Sequence, residues 1–102
     1  MALQFPETTE GTHFEMPDLR VNGKIFASLE LERDGYGVVV LTQEQQAEMV
    51  EESPEIFSPV PGPWGRKGWT RVKLRKVQKE VLYAALRAAW IGKAPKRFLG
   101  KL

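Results

Sequence analysis

The sequence predicts one small domain of mixed strand and helix, with an antiparallel meander in its first half and its longest helix near its end. Three observations carry this expectation. Asn22-Gly23 sits between two strand-like runs, and both residues tolerate the positive φ of a two-residue hairpin turn. Thr42 and Gln45 have capping-box spacing ahead of a helix-forming stretch. From about Val77 to Ile91, apolar residues recur with a 3.6-residue period. The chain has 102 residues, of which 42% are hydrophobic and 27% charged, enough for one core.

The elements follow in order. Residues 1–12 are polar and broken by Pro6 and Gly11, so they read as an extended or loosely ordered arm in which Leu3 and Phe5 can dock. His13 to Met16 reads as a short strand stopped by Pro17. Leu19 to Val21 and Lys24 to Leu31 form the hairpin around Asn22-Gly23. In its second strand, Ile25, Ala27, Leu29 and Leu31 share the more apolar face and are expected to meet the core, while Phe26, Ser28 and Glu30 face away. Asp34-Gly35 makes the next turn, and Tyr36 to Leu41 is a β-branched strand. Thr42 caps a thinly apolar surface helix over Gln43 to Glu52. Ser53-Pro54 ends it, because proline disfavours helix in the residue before it. Glu55 to Pro59 is extended, with Ile56 and Phe57 inward.

The last helix places Val77, Val81, Ala84, Ala85 and Ala88 on its apolar side, and Lys76, Lys79, Glu80, Tyr83 and Arg87 on the other. Gly92 is its expected stop, and Pro95 follows. Lys93, Lys96 and Arg97 complement the negative helix end. Trp90 falls near the boundary and is expected to be partly buried.

Charge divides sharply along the chain. Residues 1–60 hold 3 Lys+Arg against 12 Asp+Glu, and residues 61–102 hold 12 against 1. Such asymmetry fits an anionic partner for the basic half, or two halves that neutralise each other, within one chain or across a dimer. The basic half opens with Pro61 to Lys76, a glycine- and proline-punctuated loop running into an alternating strand. Alternation puts Trp69, Arg71 and Lys73 on one face, and Thr70, Val72 and Leu74 on the other. Two readings of this stretch are open. Trp64 and Trp69 plug the core and the cations are a solvated face, or the cations neutralise phosphates while an aromatic stacks on bases. Gly62, Gly65 and Gly68 match no phosphate-loop spacing and read as turn residues beside the tryptophans.

Other groups carry less chemistry. Glu44, Glu48, Glu51, Glu52 and Glu55 line up at helical spacing, either as a solvated face or as carboxylates for a hard cation. His13 is the one histidine, and no nucleophile pairs with it by any motif. The absence of cysteine removes disulfides and thiolate metal sites and suits a reducing cytosol. No apolar run approaches the roughly 20 residues of a membrane helix, and no secretion signal opens the chain.

The order of these pieces resembles the MmcQ/YjbR-like family. The resemblance rests on Pro6 to Phe14, on Leu19 to Ala27 with its Gly23-Lys24-Ile25-Phe26-Ala27 segment, on Trp64-Gly65-Arg66-Lys67-Gly68-Trp69-Thr70, and on Ala94-Pro95-Lys96. The family's shared positions fall on Lys24, Phe26, Trp64, Gly65, Arg66, Gly68, Trp69 and Lys96. The resemblance implies a two-layer α+β domain of the CyaY-like or double-wing kind, with an antiparallel sheet on one layer and helices on the other. It also implies DNA binding, by analogy of fold. Members usually begin with a helix before the Leu3-Gln4-Phe5-Pro6-Glu7 stretch, and here Met1 stands almost at that stretch. The surface such a helix would cover is expected to be covered by a second copy of the chain, as a homodimer, or by another partner.

The function expected from the sequence is therefore a non-catalytic, cytoplasmic nucleic-acid-binding module. Arg66, Lys67, Arg71, Lys73 and Arg75 would contact phosphates and Trp69 would supply a stacking surface. No cofactor or metal is called for. A protein-interaction or self-assembling domain, or one binding a small molecule or metal, stands as the alternative.

Overall fold

The computed structural model describes residues 5–13, 16–29 and 35–100. They form an antiparallel sheet of six strands with the two longer helices packed on one face, the two-layer α+β arrangement. The strands are β1 (Thr8–His13), β2 (Met16–Val21), β3 (Lys24–Leu29), β4 (Tyr36–Val40), β5 (Phe57–Pro59) and β6 (Trp69–Lys73). Their order across the sheet is β1-β2-β3-β4-β6-β5. The helices are α1 (Gln43–Glu52), the single turn α2 (Pro63–Arg66), α3 (Lys79–Lys93) and the short α4 (Lys96–Leu99).

Turn and cap chemistry set several boundaries as the sequence predicts. Asn22 and Gly23 have φ of 53° and 75°, the pair of positive values that a type I′ hairpin needs. The Thr42 hydroxyl accepts from the Gln45 amide at 3.1 Å, and the Gln45 side chain accepts from the Thr42 amide at 2.9 Å. α1 then runs from Gln43 and ends at Glu52 before the Ser53 cap, with no residue fully buried. Gly35, at φ +77°, supplies the last bend before β4, while Asp34 lies outside the described residues.

Other expectations are corrected. The arm contains a paired edge strand, since Thr8 through His13 pair with Val21 through Met16. Leu3 lies outside the described residues, but Phe5 is docked, 3% exposed. Its ring stacks 5.3 Å from Tyr83 and 6.2 Å from Trp90. Pro17 does not stop a strand. It sits near the start of β2, paired with Thr12, where its missing N–H costs little of the ladder.

Strict alternation also fails in β3. Leu19 pairs with Ala27 and Arg20 with Ile25, so Phe26 is an extra residue on its strand, a β-bulge. The bulge reverses the parity beyond it. Phe26 and Ala27 are both fully buried in the core, whereas Ile25 is half-buried on the opposite face. Of the other two residues expected to face the core, Leu29 ends β3 and Leu31 lies outside the described residues.

The core lies between the sheet and helices α1 and α3. Strand residues Val21, Phe26, Ala27, Val39, Phe57 and Val72 meet Ala85, Leu86, Ala89 and Trp90 of α3, with Met49 and Val50 of α1 at the margin. The apolar stripe of α3 is rotated from the expected one. Ala85 is fully buried as expected and Val77, Val81 and Ala88 pack half-buried against the core, but Ala84 is exposed, while Leu86 and Trp90, one turn apart, form a bulkier, fully buried ridge. Larger side chains bury more apolar area per contact, so that ridge wins the sheet-facing position. Trp90 is fully buried, not half-exposed, and its indole N–H donates to the Pro6 carbonyl at 3.0 Å. Gly92 lies inside α3. The helix stops two residues later, where Ala94 is extended ahead of Pro95.

Candidate functional site

The outer sheet face carries the candidate site. Along β6, Thr70 and Val72 are buried while Trp69, Arg71 and Lys73 are half-exposed. Register places them beside β4: Val40 opposite Trp69, Val38 opposite Arg71, and Tyr36 opposite Lys73. Residues paired across antiparallel strands share a face. The cations and aromatics of both strands therefore meet on one surface, away from α3.

Arg71 does not extend freely from this surface. Its guanidinium lies 3.8 Å from the centroid of the Tyr36 ring, a cation–π contact that fixes it across the strands. Lys73 continues the row at the end of β6. The strand stops there, so Arg75 leaves the row. It is exposed in the following turn, and its side chain lies over Gly35, where an added Cβ would stand 3.5 Å from the Arg75 Nε.

At the other end of β6, the expected loop contains the helical turn α2. Trp64 is 50% exposed, so it does not plug the core. Trp69 is half-buried beside it, with ring centroids 5.0 Å apart and planes tilted by 58°. The core is plugged instead by Trp90. Lys67 lies 5.3 Å over the Trp64 ring, and Arg66 is exposed at the end of the turn.

The backbone of this loop lies tightly against its neighbours. A Cβ on Gly65 would meet the Val60 carbonyl oxygen at 2.0 Å, and one on Gly68 would meet that of Leu41 at 1.8 Å. Gly68 also has φ of +100°, a value that strains any L side chain. Its carbonyl accepts from the Leu41 amide at 2.9 Å. Gly65 and Gly68 are thus close-approach positions that seat the loop against the residues just after β5 and β4.

Two side chains from α1 complete the clamp, and sequence reasoning did not single them out. Gln43 donates to the Arg66 carbonyl at 2.8 Å. The Gln46 amide reaches the Gly65 carbonyl at 3.0 Å, the Trp69 carbonyl at 3.2 Å and the Thr70 hydroxyl at 3.1 Å. Thr70, fully buried, donates onward to the Gly68 carbonyl at 2.9 Å. Glutamine in a polar helix reads as surface, and only the folded contact shows that it holds the tryptophan turn. Tyr36 is likewise silent in the sequence, where β-branching alone marks its strand.

A groove of ≈ 610 Å³ lies beside this row. Ile25, Val38, Val40, Val60, Trp64 and Trp69 line it, with Arg20, Lys24 and Lys93 at its margin. Arg20 is held by Asp18 through contacts of 2.8 and 3.1 Å, and donating to that carboxylate pushes its pKa further up. Gly11 leaves room for the pair, since a Cβ there would stand 2.7 Å from the Arg20 Nε.

The glutamates of α1 are exposed. Among the described residues, no three His, Cys, Asp or Glu side chains gather as a cation site. No helix among them is long and apolar enough to cross a membrane.

Comparison with known proteins adds a family and a fold. The model of the YjbR family matches residues 3–91. The crystal structure of a Deinococcus radiodurans protein with a DUF419 domain superposes with a TM-score of 0.77 at 20% identity, covering 94% of this chain and 75% of that one. At that identity the likeness concerns the fold. A search of curated proteins finds no significant match.

Proposed function

The chain belongs to the YjbR family, and from that premise and the outer sheet face we propose that it is a non-catalytic nucleic-acid-binding module. The observation that carries the proposal is the joint display of Trp69, Arg71 and Lys73 on one half-exposed face, extended by Trp64 and Lys67 at one end. Lys67, Arg71 and Lys73 take phosphates, with Arg66 beyond one end of the row and Arg75 in the turn beyond the other. Trp64, the more exposed of the pair, supplies more stacking area than Trp69.

This arrangement favours single strands. Bases in a duplex are stacked on each other and cannot reach an aromatic platform, whereas unpaired bases can. The cations of the row are assigned to phosphates and stacking accepts any base, so binding is nearly indifferent to sequence. From Trp69 to Lys73 the strand spans about 13 Å, so the footprint is short.

The test is fluorescence anisotropy with single-stranded and duplex DNA across a salt series. The expected result is single-strand binding that weakens linearly in log affinity against log salt, by about 0.7 per phosphate contacted. Absence of binding at low salt, or binding indifferent to salt, overturns the proposal.

A further inference from the structure

The groove beside the cationic row has a lining that phosphate binding does not use. Its floor is Ile25 of β3 with Val38 and Val40 of β4. Val40 is 3% exposed although it faces away from the helices. Aliphatic side chains neither donate nor accept hydrogen bonds, so this floor has no means of reading a sugar or a base edge. It can only receive an apolar body.

The margin has the opposite chemistry. Lys24, at the start of β3, and Lys93, in the last turn of α3, stand at the same groove. Arg20 is engaged by Asp18. Among the described residues, no carboxylate lies within ion-pair distance of either lysine. An apolar floor with two cations at its edge complements a molecule that is apolar along its body and negative at one end. The volume of ≈ 610 Å³ falls within the range of pockets for small organic ligands.

We propose that the outer-face groove binds an amphipathic organic anion, an aryl or medium-chain carboxylate. Its body lies on Ile25, Val38 and Val40 against Trp69, and its carboxylate lies between Lys24 and Lys93. This goes beyond nucleic-acid binding and does not depend on it. The two uses share only the tryptophans.

The experiment is methyl NMR of the whole chain titrated with 2-naphthoate, with neutral 2-naphthylmethanol as the charge control. The expected result is a saturable shift of the Val38, Val40, Val60 and Ile25 methyls, with the core methyls of Val39 and Val72 unmoved. The carboxylate should bind about fivefold or more tighter than the alcohol, the scale of two exposed charge contacts. The paired K24E/K93E change should erase that preference without touching the floor, and Val38→Glu should abolish the shifts. Should Val38→Glu fail to fold, the lysine pair still decides.

Three results overturn the proposal: no saturable shift, equal binding of acid and alcohol, or floor-methyl shifts that depend on protein concentration without ligand. The last would assign the groove to a second copy of the chain. Absence of DNA binding by a chain that binds naphthoate would refute the nucleic-acid proposal alone.

Discussion

Replacing Gln46 by alanine isolates the clamp that seats the tryptophan turn. Its amide has two N–H groups and faces three oxygens, those of Gly65, Trp69 and Thr70, at 3.0–3.2 Å. Two of these keep another donor when it is removed. The Gly65 carbonyl still accepts from the Gly68 amide at 3.1 Å, and that of Trp69 from the Val60 amide at 2.9 Å. The loss is therefore two ordinary hydrogen bonds without orphaned backbone acceptors, about 2 kcal/mol. In a domain of this size that lowers Tm by about 10 °C. Gln46→Glu is a sharper version, because a carboxylate facing three oxygens can donate nothing. At pH 7 it should cost at least about 1 kcal/mol more than the alanine variant. Those oxygens raise the pKa of the introduced carboxyl in the folded state, so its extra penalty is absent below the unfolded value and grows as pH rises through it. Urea denaturation of both variants at pH 4 and pH 7 measures this. A Gln46→Ala variant within about 0.5 kcal/mol of the parent, or a Gln46→Glu penalty that does not shrink in acid, would refute the clamp.

Trp90→Ala should destabilise the chain by about 3–5 kcal/mol in denaturant titrations, because a fully buried indole and its bond to Pro6 are both lost. Gly65→Ala and Gly92→Ala should move stability in opposite directions. The first drives a Cβ into the Val60 carbonyl, whereas nothing lies within 4 Å of the second, whose interior helical position gains about 0.5–1 kcal/mol from alanine. Trp64→Ala should weaken single-strand binding by about 1–3 kcal/mol in anisotropy titrations, with little change in stability because the side chain is half exposed.

The legible parts of this fold were those fixed by local backbone chemistry. Asn22-Gly23, the Thr42 capping box and Ser53-Pro54 each act over a few residues, so sequence alone places them. The alternation of β6 was legible too, because each of its residues keeps one face. What escaped was decided at a distance. The bulge at Phe26 depends on pairing with Leu19 and Arg20, and it turned Ile25 from an expected core residue into the floor of a groove. Periodicity predicted an apolar stripe on α3 but not which of two competing stripes faces the sheet. That depended on the bulk of Leu86 and Trp90 against neighbours far away in sequence. The site was half visible: charge and alternation exposed Arg71 and Lys73. Tyr36 beneath Arg71 and Gln46 beneath the tryptophan turn became functional candidates only through contacts between distant segments.

If one face of the sheet, and not basic charge in general, takes nucleic acid, then removing its cations must cost far more than removing a cation elsewhere. The most direct measurement compares the double variant R71E/K73E with Arg87→Glu, an exposed cation on α3, in anisotropy titrations against a labelled oligothymidylate of about 12 nucleotides. R71E/K73E should lose most of the affinity and flatten the salt dependence by about 1.4, two single-strand phosphate contacts, while Arg87→Glu should bind nearly as the parent does. Equal weakening by both changes, or an R71E/K73E variant that binds like the parent, would contradict this.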